Sequence, residues 1–155
     1  MNNAPVLTTF VCEPAPESPG WLRWRIADAA RFNEVVLGKQ LLRAEGPDSC
    51  RMRIVPQVPL HMNGAGNVHG GIIMALIDVS LFAALYLLRG VDAGKSVTLD
   101  LTTQFIGSGK TARPLDSVVQ LLRETRRLAF LRGLVVQDDD LVASFCATVR
   151  KPTEQ

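Results

Sequence analysis

The chain has 155 residues, a net charge of +2, 47% hydrophobic and 21% charged residues. That length fits one domain with a real core, and the composition is ordinary for a globular protein. The near balance of charge excludes bulk nucleic-acid binding while leaving room for a local phosphate patch. Cys12, Cys50 and Cys146 are odd in number and lack metal-ligand spacing, so no metal site is expected.

Residues 1–20 hold four of the nine prolines and read as a loose leader, with one domain expected over 21–155. The opening MNNAPVLTTF carries no basic n-region before an apolar run, so no secretory signal is read and the cytoplasm is the expected compartment. Trp21 and Trp24 either anchor the leader or form a short edge strand. Residues 28–37 suggest a short helix, with Asp28 as N-cap and Gly38 as stop. Strands are expected at 39–44 and 50–58, where Cys50, Met52 and Ile54 alternate with Arg51 and Arg53. Four more follow the central apolar stretch, at 96–106, 115–125, 128–137 and 141–150. In the first of these, Val97, Leu99, Leu101 and Phe105 alternate with Thr98, Asp100, Thr102 and Gln104. Asp138-Asp139-Asp140 marks a hairpin turn.

Everything is organised around residues 63–88, NGAGNVHGGIIMALIDVSLFAALYLL. From Ile72 to Leu88 the run is almost unbroken hydrocarbon, rich in Ala, Leu and Met, which favours helix over strand. A rod apolar all round either spans a membrane or is wrapped by other structure. A carboxylate in mid-span costs roughly 2.5–3.5 kcal/mol, and plenty of strand is available for wrapping, so a buried central helix is expected and no membrane partner. Short serial connections mean antiparallel strands, curled to cover the whole circumference of the helix. The fold class is α+β, a hot-dog arrangement.

Asp78 is the anomaly in that rod, because carboxylates are rarely buried unless paired. Gly70 and Gly71 stand where the helix begins. Their amides have no intrahelical acceptor, the helix dipole favours negative charge there, and the missing side chains admit a ligand. That is the specification of an oxyanion hole. Asp78 lies about 12 Å further along the axis, at 1.5 Å per residue, while a base must come within about 3 Å of the reacting atoms. If both act on one carbonyl, two chains must lay their helices antiparallel.

The pattern Asn63-x-x-Gly66-x-x-His69-Gly70-Gly71, with Asp78 nine residues after the histidine, resembles the hot-dog acyl-CoA thioesterases of the phenylacetate-pathway type. Val97-Thr98-x-Asp100-Leu101 and Asp140-Leu141-Val142-Ala143 resemble that family too. The likeness covers roughly residues 35–150. It implies hydrolysis of a CoA thioester, with Asp78 as base or nucleophile and Gly70 as amide donor to the carbonyl oxygen. Asn63 would orient substrate or water, Thr98 would hold the water or complete the bonding of Asp78, and His69 would position the thioester or merely cap the loop. His61 is read as structural. Gly71 and Phe82 would line the substrate, ordinary core packing being the other reading of Phe82, and Lys110, Arg113 and Arg126 would meet the CoA phosphates or else be solvated surface charges. The resemblance implies a homo-oligomer, a dimer or a tetramer built as a dimer of dimers, with acyl-CoA as its small-molecule partner. No cofactor is expected, since coenzyme A is part of the substrate.

Two departures stand out. The family usually has a proline-containing loop where this chain has Gly107-Ser108-Gly109-Lys110-Thr111-Ala112-Arg113, and usually a glycine near Thr125-Arg126. The first of these also mimics the end of a P-loop, but Gln104 stands where its leading glycine belongs and Pro114 blocks a following helix. Gly-x-Ser-x-Gly is absent. The alternative to an enzyme is a non-catalytic acyl-CoA sensor or carrier on the same scaffold, which needs no Asp78. A hot-dog hydratase would want a histidine after Asp78 on the helix, and none follows.

Overall fold

The computed structural model describes residues 10–153 of the chain. Its strands are β1 (Phe10–Pro14), β2 (Leu22–Ile26), β3 (Gln40–Gly46), β4 (Ser49–Ile54), β5 (Val97–Phe105), β6 (Leu115–Glu124), β7 (Leu128–Gln137) and β8 (Asp140–Arg150). They form one sheet in the order β1-β2-β3-β4-β6-β7-β8-β5, with every neighbouring pair antiparallel. The long helix α1 (Gly70–Arg89) lies against its inner face. This is the expected hot-dog arrangement.

The period-2 pattern decides which side chains meet the helix. Cys50, Met52 and Ile54 of β4, Leu115 and Val119 of β6, Leu131 and Val135 of β7, and Ala143 and Val149 of β8 are all buried in one core with Leu76, Ile77 and Leu81 of α1. Gly90 ends the helix in the left-handed conformation (φ 65°), its N–H turned to the carbonyls of Leu85 and Tyr86. The helix is long and apolar enough to cross a membrane, yet half of its most apolar window is buried inside this fold.

Four expectations need correction. The supposed leader is sheet from Phe10 onward, because β1 pairs with β2 from Phe10↔Ile26 to Pro14↔Leu22; residues 1–9 lie outside the described residues. Trp24 therefore sits in the core rather than on an edge, and Trp21 lies beneath the Arg43 and Arg53 guanidiniums at 4.4 and 4.7 Å. The helix expected at 28–37 shrinks to a single π-helical turn, Asn33–Leu37, since the Asp28 carboxylate takes the Ala30 N–H and holds a turn instead. Strand β4 stops at Ile54 rather than Val58, where Pro56 and Pro59 remove ladder donors. Finally, the sheet does not cover the whole helix. Gly71, Ala75, Asp78, Phe82 and Tyr86 recur at helical spacing and are all at least partly exposed, leaving one open stripe.

Candidate active site

The loop leading into α1 is tightly bonded. Asn63 accepts the N–H groups of Ala65 and Asn67 on its side-chain oxygen at 2.9 and 3.0 Å, and its own N–H donates to the Asn67 carbonyl at 2.8 Å. His61 is fully buried beneath it. Its Nδ1 accepts the Gln57 N–H at 2.9 Å, so Nε2 carries the proton donated to the Val36 carbonyl at 2.5 Å. The His61 carbonyl in turn receives the His69 N–H at 2.8 Å. His61 is a staple, as its burial requires.

His69 is the N-cap. Its Nδ1 accepts the Gly71 N–H at 2.9 Å, and its carbonyl receives the Ile72 N–H at 2.9 Å. An amide can only donate, so Nδ1 is bare and the ring proton sits on Nε2. Two of the first amides of the helix are thereby committed. The Gly70 N–H is not: no acceptor takes it among the described residues. A Cβ on Gly70 would meet the Phe105 ring at 3.4 Å, so that ring walls one side of the free amide.

Asp78 lies on the open stripe, half-buried. The Thr98 hydroxyl donates to its Oδ1 at 2.7 Å, and Oδ2 has no partner among the described residues. This contact depends on an irregularity in β5. Thr98 pairs with Val149 but Asp100 pairs with Thr148, so Leu99 is an extra, bulged residue. The bulge shifts the alternation, and Thr98, Leu101 and Thr103 become the partly buried positions. The clean alternation expected from sequence, with Thr98 opposite Leu101 and Phe105, is overturned there. A bulge is defined only by the partner strand, so the sequence holds no signal for it, nor for Phe105 as the neighbour of Gly70.

The basic residues fall into two places. Lys110 reaches the start of the helix, its ammonium donating to the Asn67 side chain at 2.7 Å, while Gln137 clamps its backbone N–H and carbonyl at 2.7 and 2.8 Å. Arg113, on the same loop, is paired with Asp138. This loop is docked by the Val68 N–H on the Gly109 carbonyl at 2.8 Å, and a Cβ on Gly107 would strike the Leu141 carbonyl at 2.5 Å. Its glycines thus serve close packing, and Pro114 leads directly into β6 rather than into a P-loop helix. Arg126 stands beyond the other end of α1, with Val91, Arg127, Lys151, Pro152 and Thr153 around a cavity of about 300 Å³. There the Lys151 ammonium, and after it Arg89, hold the Glu124 carboxyl below the usual carboxylate range.

Within one protomer, then, Asp78 and Thr98 meet, and His69 meets Gly71 beside Gly70, while Asn63 bonds only within the loop before them and Phe82 lies one turn beyond Asp78 on the open stripe. The two groups remain about 12 Å apart along the helix. Among the described residues no cluster of His, Cys, Asp and Glu is placed to hold a metal ion. Burial pushes the Cys50 thiol up to about 12, so it is no nucleophile.

Comparison with known proteins agrees with this architecture. The model of the Thioesterase superfamily matches residues 65–144, just over half of the chain. Human acyl-coenzyme A thioesterase 13 is 30% identical over 104 residues, which are 65% of this chain and 70% of that protein. Among solved structures, zebrafish thioesterase superfamily member 2 superimposes with a TM-score of 0.69 at 22% identity, covering 80% of this chain and 88% of that one. A mutant of the phenylacetic acid degradation protein PaaI from Thermus thermophilus gives 0.63 at 25% identity, covering 77% and 96%. With α1, Asp78 and strands β5 to β7 inside the matched segment, the chain belongs to the Thioesterase superfamily and is a thioester hydrolase.

Proposed function

We infer that the chain hydrolyses acyl-coenzyme A thioesters at sites shared between two copies, each site taking the Gly70 amide from one chain and Asp78 from the other. The observation that carries this is the pairing of one uncommitted helix-terminal N–H with one half-open carboxylate, too far apart on a single helix to act together. A second copy has a natural seat. Strand β5 is a nine-residue edge strand with one side unpaired, and Val97, Leu99 and Phe105 are exposed along it, with Ile106 just beyond its end. Joining it to its copy about a two-fold axis sets the two α1 helices antiparallel. A dimer satisfies this, and pairing two such dimers into a tetramer leaves the site unaltered.

In this site the thioester carbonyl oxygen accepts the Gly70 N–H. Asp78, steadied by Thr98 on Oδ1, uses Oδ2 to take a proton from water as that water attacks the carbonyl carbon. The oxyanion then collapses, the C–S bond breaks, and the proton passes to the coenzyme A thiolate. His69 and Asn63 shape the loop that presents the amide, while Gly71 and Phe82 border the acyl side. Lys110 and Arg126 stand at opposite ends of one helix, so a single CoA can meet both only across the two chains; Arg113 is a further cation for its phosphates. No cofactor is required, and the cytoplasm is the expected setting. The human relative's name, an acyl-coenzyme A thioesterase, supports the substrate class, and the PaaI likeness supports placement near the phenylacetate-pathway type.

Two inactive variants test it. Proline suits the first helical position, so Gly70→Pro deletes the amide while keeping the helix start. Alone it should lose roughly 100- to 1,000-fold in kcat, and Asp78→Asn should be inactive. Refolded together, they should regain hydrolysis, because a mixed pair holds one complete site. Mixed pairs as dead as the parents would overturn the shared site, and tight acyl-CoA binding without turnover in the unaltered protein would point to a sensor.

A further inference from the structure

The N-terminal hairpin lies outside the segment matched by the family, yet it reaches the open stripe of α1. Phe10 of β1 stacks on Trp24 of β2 with ring centroids 5.0 Å apart and planes 24° apart. Trp24 then meets Tyr86 edge-on at 5.2 Å and 60°. Trp24 is 1% exposed and anchored in the core, whereas Tyr86 is 37% exposed. Along the stripe, Asp78, Phe82 and Tyr86 follow one another at single-turn spacing, about 6 Å each. Nothing polar interrupts them after Asp78. The next group on that side, Arg89, is tied to Asp48 and Glu124.

We propose that this stripe is the floor of the acyl groove and that the Phe10–Trp24–Tyr86 stack is its end wall, limiting the enzyme to acyl groups of medium length. The proposal rests on Asp78 being the catalytic acid, from which the groove is measured. Asp78 to Tyr86 spans about 12 Å, two helical turns. A short acyl group leaves Phe82 uncovered and forfeits its burial, while a long one must displace Tyr86, which the buried Trp24 backs edge-on. Two of the three rings of that wall, Phe10 and Trp24, come from the N-terminal hairpin, outside the segment matched by the family.

The test uses the full chain and a panel of butanoyl-, octanoyl-, palmitoyl- and stearoyl-CoA, with release of free thiol as the readout. The unaltered enzyme should favour octanoyl-CoA. Tyr86→Ala, at a partly exposed position, should raise the palmitoyl-to-octanoyl ratio of kcat/KM by about tenfold or more, the scale of one or two methylenes in an apolar pocket. Phe10→Ala, which unsupports Trp24, should move it the same way. The same panel, as thioether analogues, is titrated against Asp78→Asn to read length preference without turnover. Length-selective binding that shifts in Tyr86→Ala, with no hydrolysis by any form, would sink the hydrolase and keep the groove. A preference for stearoyl-CoA in the unaltered protein, or an unchanged ratio in both variants with wild-type melting curves, would overturn the wall.

Discussion

The contact between Thr98 and Asp78 is the smallest unit on which the proposed chemistry turns. A hydroxyl donating to a carboxylate is a charge-assisted bond, contributing about 1.5–3 kcal/mol. It also assigns the two carboxylate oxygens different tasks, Oδ1 held and Oδ2 free. Thr98→Val should therefore lower kcat by roughly 10- to 100-fold at the same substrate affinity, at about tenfold per 1.4 kcal/mol. Thr98→Ser, keeping the hydroxyl, should recover most of the rate. A fall in Thr98→Val confined to KM would mean that the bond orders the substrate pocket and not the acid. Asp78 and Gly70 stand out in the sequence as candidates, because a lone acid in hydrocarbon and paired glycines at a helix start are local anomalies. The Asn63 side chain is a different case. Its oxygen closes the loop through Ala65 and Asn67, a task that only the folded turn displays.

Elements were legible in proportion to how much of their pattern is local. Helix α1 and strands β6 to β8 are long apolar or alternating runs, and they appear within a residue or two of where the sequence puts them. Strand β1 is short, flanked by prolines and stabilised only by pairing with β2, so composition alone misassigns it. The bulge at Leu99 belongs to the β5–β8 pair in the same way. Tight inter-element packing yields its own expectation. Gly133 of β7 lies so close to its neighbours that a Cβ there would fall 2.2 Å from the Val118 carbonyl and 2.3 Å from the Phe145 ring. Gly133→Ala should cost about 1–3 kcal/mol in denaturant unfolding, the usual range for overpacking. The buried Ser80–Ser117 pair, 2.8 Å apart, joins helix to sheet. Ser80→Ala should cost about 1–3 kcal/mol by stranding the Ser117 hydroxyl, and adding Ser117→Ala should return part of it.

At the scale of the whole molecule, the uncovered stripe of α1 and the free edge of β5 lie on adjoining elements linked by Asp78 and Thr98. The expectation of a helix sheathed all round fails here because eight strands in one protomer leave that stripe bare. Leu99, 53% exposed on the bulge, is the place to test whether a second chain completes the cover. Leu99→Lys should shift the protein toward monomer in light scattering and remove hydrolysis while the melting curve stays cooperative. A monomeric variant with undiminished turnover would dismiss the need for a partner.

The distance between the free amide and the acid has a consequence for the life of the chain. If neither half suffices alone, a newly made copy is harmless to the thioester pool until it meets another. Specific activity should then rise with protein concentration, curving upward in dilute solution and flattening once every copy has found its mate. A cell could silence such an enzyme simply by keeping it scarce.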